Sequence, residues 1–201
     1  MALFHVQPDF ELWLASGSPR RKALLASLGL TPQIIIPDNA EPAPRADEEA
    51  ESYAGRAAAA KADWAAARIG SPKAVVIAAD TIVCANGAIL GKPVDYAEAV
   101  AMLTALNGKW HAVFTAVDIR IGAGRKLSFC EKTEVRFADW PLAALANYAQ
   151  SGEPLDKAGA YGIQDQGAFL TDAIQGSWTN VAGLPLAKVA QCLLAKGVIG
   201  A

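Results

Sequence analysis

The chain has 201 residues, 53% of them hydrophobic and 19% charged, enough apolar side chain for the core of one sizeable domain and too little charge for a disordered segment. A net charge of −2 argues against a nucleic-acid coat or an anionic membrane surface as partner, so any cationic site must be local. Cys84, Cys130 and Cys192 are too scattered for a disulfide framework or a zinc site, and no charged leader precedes a long apolar run, so a cytoplasmic protein with no signal peptide or membrane span is expected.

Residues 1–10 read as a loose leader. Leu12–Ala15 is a short apolar run with the look of a strand, and a helix follows it. Ser18 suits the N-cap, Pro19 the first helical position and Gly29 the stop, while Leu24, Leu25 and Leu28 share one face. The charge pattern is unusual: Arg20 and Arg21 occupy the first turn, where the helix dipole disfavours cations by about 0.3–1 kcal/mol each. Amide groups, the hydroxyls of Ser16 and Ser18 and two guanidiniums together suit a polyanion, most naturally phosphate. The plainer alternative is a solvated arginine pair on an ordinary helix.

Gln33–Ile36 is a β-branched strand that completes a β–α–β opening, followed by the proline- and acid-rich loop 37–47 that contains Glu41. Glu48–Arg68 reads as a long helix with Tyr53, Ala57, Ala60 and Trp64 on one face. Lys61 lies at the margin of that face, a place that suits a snorkelling surface lysine as well as a ligand. Ala74–Cys84 is the most apolar run and has the composition of a central strand. Asp80 interrupts it, ahead of Thr81; a carboxylate there is costly unless it is paired or meets a metal. We read it as a carboxylate at the working end of the strand, the alternative being a structural acid with a buried partner.

Asn86-Gly87 predicts a type I′ turn into the short strand Ala88–Leu90, after which Gly91-Lys92-Pro93 presents Lys92 without the glycines of a P-loop. Asp95 caps a helix to about Leu106, and Trp110–Ile121 and Leu127–Phe137 read as long strands joined through Gly122 and Gly124. His111, alone among apolar residues, reads as a structural histidine. A helix from about Asp139 to Gln150 leads into the glycine-rich loop 152–167, which carries Lys157 and Gln164; the residues after Gly176 turn into a last helix that begins near Pro185.

An anion-seeking helix start, a carboxylate in a central strand, isolated lysines at 61, 92 and 157 and a polar glycine loop have one joint explanation in phosphoryl chemistry. A Gly-x-Ser-x-Gly elbow and a Gly-x-Gly-x-x-Gly dinucleotide fingerprint are both missing from the sequence.

Leu14–Leu25 (LASGSPRRKALL), Tyr53-x-x-Arg56 with Lys61-Ala62, Ala79-Asp80-Thr81, Gly91-Lys92-Pro93, Lys157–Gln164 (KAGAYGIQ) and Gly176-Ser through Gly183-Leu-Pro-Leu186 resemble, in order, the motifs of the Maf family of septum-formation proteins, which act as nucleoside triphosphate pyrophosphatases. The resemblance implies one α/β domain over 1–201: a mixed twisted sheet with flanking helices and a cleft between two lobes, similar to the inosine triphosphatase group. It implies cleavage between the α- and β-phosphates of a nucleoside triphosphate with a divalent metal cation, Mg²⁺ first and Mn²⁺ or Co²⁺ as alternatives. Asp80 would accept the proton of the attacking water and, with Glu41, hold the metal. Ser16, Ser18, Arg20, Arg21, Lys61, Lys92 and Lys157 would bind phosphate. Within the family, Arg20, Thr81 and Gln164 resemble the branch for dTTP and UTP, and a glutamine amide offers the donor and acceptor that match O4 and N3–H of uracil or thymine. The alternatives are a 7-methyl-GTP pyrophosphatase and a nucleotide-binding regulator of septum formation. The chain departs from the pattern at Asp165, where a glycine commonly follows the glutamine. A homodimer is implied as possible; no nucleic acid and no membrane are expected as partners.

Overall fold

The β–α–β opening is present in the computed structural model, which describes residues 2–38, 42–122 and 124–201. Strand β2 (Glu11–Ala15) pairs in parallel with β3 (Gln33–Ile35), and helix α1 (Pro19–Ser27) connects them. The leader is not loose. Its residues His5–Val6 form β1, antiparallel to the C-terminal β9 (Ile199–Gly200), and the amides of Phe4 and Gln7 donate to the carbonyls of Leu28 and Val198. Two-residue strands carry no hydrophobic period, which is why nothing in the sequence marks them.

Helix α2 (Ala50–Ile69) is followed by β4 (Ala74–Ala85), β5 (Ala88–Leu90), α3 (Tyr96–Leu106), β6 (Trp110–Ile121), β7 (Arg125–Phe137) and α4 (Leu142–Gln150). Three 3-10 turns, Glu153–Asp156, Ala158–Ala160 and Asp165–Leu170, fill the glycine-rich loop. Strand β8 (Thr171–Gln175), the short helix α5 (Trp178–Val181) and α6 (Leu186–Ala195) precede β9. The main sheet has the order β3-β2-β4-β6-β7-β8, with β5 on β4. It is mixed: β2 joins β3 and β4 in parallel, whereas β4–β5 and β7–β8 are antiparallel. A mixed α/β sheet with flanking helices is therefore the fold class.

Two compact units divide the chain. The first holds Met1–Asp80, Thr115–Cys130 and Gly183–Ala201; the second holds Thr81–Phe114 and Glu131–Ala182. In the first, alanine is the packing device. Ala62 and Ala65 of α2 meet Ala74, Val76 and Ala78 of β4, with Ala15 of β2 and the flanking Trp13, Trp64 and Ile69. Small side chains on both surfaces let helix and strand approach closely, and the strand is buried along Ala74–Asp80. The buried stripe of α2 runs through Ala54, Ala58, Ala62 and Ala65, with Tyr53 and Ala57 beside it; Ala60 and Trp64 are only half-buried.

In the second unit, Leu103 and Leu106 of α3 and Leu145 and Tyr148 of α4 pack with Val113, Val135, Phe137, Tyr161 and Leu170. Asn86 and Gly87 both take positive φ (51° and 78°), as a type I′ hairpin turn requires. Asp95 caps α3 by accepting from the Glu98 amide at 2.8 Å. Asn107 ends that helix and ties the next connection down: its Oδ1 accepts from the Trp140 amide at 3.0 Å, and its Nδ2 donates to the Trp140 carbonyl and to Asp139 Oδ1, both at 2.9 Å.

Candidate active site

Alternation along β4 decides where Asp80 points. Residues 74, 76, 78 and 80 share one strand face, and the first three of them pack against α2. Asp80 extends that row, and Lys61, one residue before the buried Ala62, reaches it: Nζ lies 2.5 Å from Oδ1. Asp80 is 7% exposed, and the Lys61 side chain is largely covered too. The interruption of the apolar run is thus a carboxylate with an ammonium partner. Asp80 stands in the middle of a twelve-residue strand rather than at its end.

The start of α1 is built around Ser16. This buried hydroxyl accepts from the Ser18 amide at 3.2 Å and from Arg21 Nη1 at 3.1 Å. Ser18 caps the helix by accepting from the Arg21 amide, and Arg21 Nε donates to the Gly183 carbonyl at 2.8 Å. Arg21 is therefore held by its own unit through Ser16 and Gly183, a bracket that links the first and last sequence blocks. Arg20 is half-buried beside it, and the first turn of α1 holds no acid. The hydroxyl and guanidinium groups singled out in the sequence are thus gathered at the positive pole of one helix. The second block is organised differently: Arg56 clasps Glu48 through Nε at 2.9 Å and Nη2 at 2.5 Å and donates to the Ala43 carbonyl, fastening the approach to α2. Glu41 lies outside the described residues.

In the second unit, Thr81 is half-buried on β4, Lys92 is exposed after β5, and Gln164 is half-buried in the glycine loop. A backbone bond joins two of the sequence blocks: the Gly159 amide donates to the Gly91 carbonyl at 3.0 Å, next to Lys92. Gly159 takes φ +69°, and a Cβ there would stand 2.9 Å from Val83, so only glycine permits this approach. Lys157 is buried, and its Nζ donates to the Glu153 carbonyl at 2.6 Å and to Asp156 Oδ1 at 2.7 Å. The loop spends this ammonium on its own closure. Tyr148 and Glu153, to which the sequence reading gave no role, are the hub of the loop: the tyrosine hydroxyl donates to Glu153 Oε1 at 3.0 Å. A tyrosine on a helix five residues before a glutamate gives no local signal of this meeting. His111 is 3% exposed, with Nε2 2.8 Å from the Tyr161 hydroxyl.

Asp165 adopts φ +56°, the left-handed region that glycine enters without cost. This explains why a glycine fits the position, and why aspartate, among the residues that best tolerate it, can replace one. Asp165→Gly is expected to leave thermal stability within about 1 kcal/mol of the parent. Asp165→Val is expected to lower it by about 1–3 kcal/mol, because a β-branched side chain is strained at that φ. Urea melts of the two variants check this.

The mixed sheet with its flanking helices is similar to that of a HAM1 protein from Coxiella burnetii, with a TM-score of 0.53 over 92% of this chain and 99% of that one; at 19% identity the likeness shows the fold alone. The chain belongs to the Maf-like protein family, whose model matches residues 11–196. Its relatives include proteins named dTTP/UTP pyrophosphatase. That of Nitratidesulfovibrio vulgaris is 46% identical over 92% of this chain and 88% of its own length. Those of Myxococcus xanthus and Cupriavidus metallidurans are 46% and 42% identical, with 93% of this chain covered in each case and 93% and 97% of the relatives.

Proposed function

We propose that this chain is a nucleoside triphosphate pyrophosphatase that hydrolyses dTTP and UTP to the monophosphate and pyrophosphate, as the names of its relatives read. The observation that carries the reading is the Asp80–Lys61 pair set in an otherwise apolar strand. A water molecule attacks the α–β phosphoanhydride and the bond to the bridging oxygen breaks. Asp80 takes the proton from that water, and Lys61 supplies the counter-charge that lets a carboxylate reside at this depth. Arg20 and Arg21, with the hydroxyls of Ser16 and Ser18 and the amides of α1, offset phosphate charge, and the family resemblance adds Lys92 to them. Lys157, committed to Glu153 and Asp156, braces the glycine loop.

Among the described residues no three acidic, histidine or cysteine side chains gather as a metal cluster. A hard cation such as Mg²⁺ needs none, since one or two carboxylates and the substrate's phosphate oxygens suffice. Asp80 would be one such donor, and the family resemblance makes Glu41 the second; the cation, Mg²⁺ before Mn²⁺ or Co²⁺, would supply charge neutralisation on the triphosphate. Arg20, Thr81 and Gln164 are the residues of choice for base selection, and they favour dTTP and UTP over 7-methyl-GTP. No helix among the described residues is long and apolar enough to cross a membrane. Work on nucleotide pools in the cytoplasm, a homodimer and a link to septum formation belong to the same reading.

Incubation with dTTP, UTP, CTP, GTP and 7-methyl-GTP and Mg²⁺, with products identified, tests it. Pyrophosphate and monophosphate from dTTP and UTP are expected. Release of orthophosphate, or a preference for 7-methyl-GTP, overturns it.

A further inference from the structure

The glycine loop is closed by one carboxylate. Glu153 Oε1 accepts from the Tyr148 hydroxyl at 3.0 Å and from the Gly167 amide at 3.3 Å, and Oε2 accepts from the Gln166 amide at 3.1 Å. The same Tyr148 oxygen accepts from the buried Gly162 amide at 3.2 Å. Glu153 and Tyr148 therefore grip the backbone at 162 on one side of Gln164 and at 166 and 167 on the other. The closure is tight. A Cβ on Gly167 would lie 2.3 Å from the Gly162 carbonyl oxygen and 2.5 Å from the Tyr148 hydroxyl, and a Cβ on Gly162 would lie 2.8 Å from Lys157 Cε. The main chain of Glu153 is itself anchored, because its carbonyl receives Lys157 Nζ.

We propose that Glu153, acting with Tyr148, is the positioning residue that fixes Gln164 for base selection, so that the enzyme's preference for a base edge with O4 and N3–H over one with an amino group depends on this carboxylate. The inference rests on the proposed pyrophosphatase reading and on Gln164 as the base reader. A glutamine amide discriminates between the two edges only while its orientation is held. If the backbone beneath it shifts by an ångström, a two-point contact is lost and with it the penalty on the wrong base. Hydrogen bonding alone would make Glu153 a stabilising residue; because it holds one flank of Gln164 directly and the other through Tyr148, it is a selectivity residue.

The test is the ratio of kcat/KM for UTP to that for CTP, read by pyrophosphate release with Mg²⁺, in the parent protein and in Glu153→Gln, Tyr148→Phe and Gln164→Ala. Glu153→Gln keeps the volume but turns an amide group toward backbone donors. It is expected to lower the ratio by about tenfold, through a raised KM for UTP, with CTP turnover little changed. Gln164→Ala is expected to do the same. A Glu153→Gln variant that slows UTP and CTP equally, or leaves the ratio intact while Gln164→Ala abolishes it, overturns the positioning role and leaves the pyrophosphatase reading standing. A parent protein that does not distinguish UTP from CTP, or a Gln164→Ala variant with an unchanged ratio, overturns the base reader and this inference with it. Should Glu153→Gln fail to fold, Tyr148→Phe, which removes only the bridging hydroxyl, decides on the same ratio.

Discussion

Asp80→Asn is expected to lower pyrophosphate release by about a thousandfold while a non-hydrolysable triphosphate still binds with nearly parental affinity. Asparagine keeps the size of the side chain and one oxygen for Lys61, but it cannot take a proton from water. The Lys61–Asp80 contact at 2.5 Å makes the two residues one device, so Lys61→Met is also expected to impair turnover, and the double variant to be little worse than the poorer single one. Stability is a smaller matter. Neither side chain is wholly sealed, so losing one partner is expected to cost about 1–2 kcal/mol, below the 3–5 kcal/mol of a fully buried pair. Steady-state rates set against calorimetric affinities separate the cases. Affinity that collapses together with the rate would mean that Asp80 chiefly holds the ligand through its metal; an intact rate would remove it from the proton transfer. If Asp80→Asn preserved a septum phenotype in cells while hydrolysis was lost, the regulatory reading would gain over the enzymatic one.

Much of this machinery is legible in the sequence because it violates local rules. Arginines in the first turn of a helix and an acid inside an apolar strand are each unfavourable by themselves, and such violations cluster where function is. Caps and turns are legible for the opposite reason: Ser18, Asp95 and Asn86-Gly87 satisfy backbone demands that need no tertiary information. What stays hidden depends on partners distant in the chain. Lys61 at the edge of a helix face is ambiguous until α2 is laid on β4; the register of Ala62 and Ala65 against Ala74, Val76 and Ala78 then carries the ammonium to Asp80. Lys157 is a case of another kind: the family resemblance makes it a phosphate ligand, and its ammonium meets its near neighbours, the Glu153 carbonyl and Asp156. The polar strand β8 is set by its antiparallel register with β7, and the short helix α5, capped locally by Ser177, is tied down through Asn180 Nδ2, which donates to the Val113 carbonyl and Thr133 Oγ1; neither has a hydrophobic period of its own. The left-handed Asp165 shows the reverse traffic, since a departure from the motif noticed in the sequence acquires its meaning only from a dihedral angle.

His111→Phe is expected to flatten the acid side of the stability profile. Burial pushes the His111 imidazole from 6.5 down to about 4; the charge of Glu134 and the backbone at Lys109 pull the other way and are weaker. The neutral ring is well housed: it meets the Tyr161 hydroxyl at 2.8 Å and lies edge-on to Phe137 and Tyr161, with centroids 4.9 and 5.3 Å away. Burial also pushes the Tyr161 phenol up, so that it stays protonated across the working range. The unfolded chain takes up a proton at this histidine below pH 6.5, whereas the folded chain resists until about pH 4. The contribution is therefore whole above pH 6.5 and is lost as the pH falls from there to about 4, an interval worth about 3 kcal/mol, a large part of a typical domain's 5–15 kcal/mol. Glu48 weakens the fold in acid too, but in a lower window. Its hydrogen bonds from the Arg56 side chain and the Arg45 backbone lower its carboxyl from 4.5 to about 2, so its contribution is present above about pH 4.5 and is lost through about pH 2. Unfolding free energies at pH 7.5 and pH 4.5 isolate the histidine. His111→Phe keeps a ring in the aromatic cluster and forfeits the Tyr161 bond, a loss of about 1 kcal/mol at pH 7.5. It is expected to lose about 2–3 kcal/mol less than the parent between the two pH values. Equal losses in the two proteins would mean that the acid sensitivity of the fold resides in its carboxylates, and that His111 takes up its proton at the same pH in the folded and the unfolded chain.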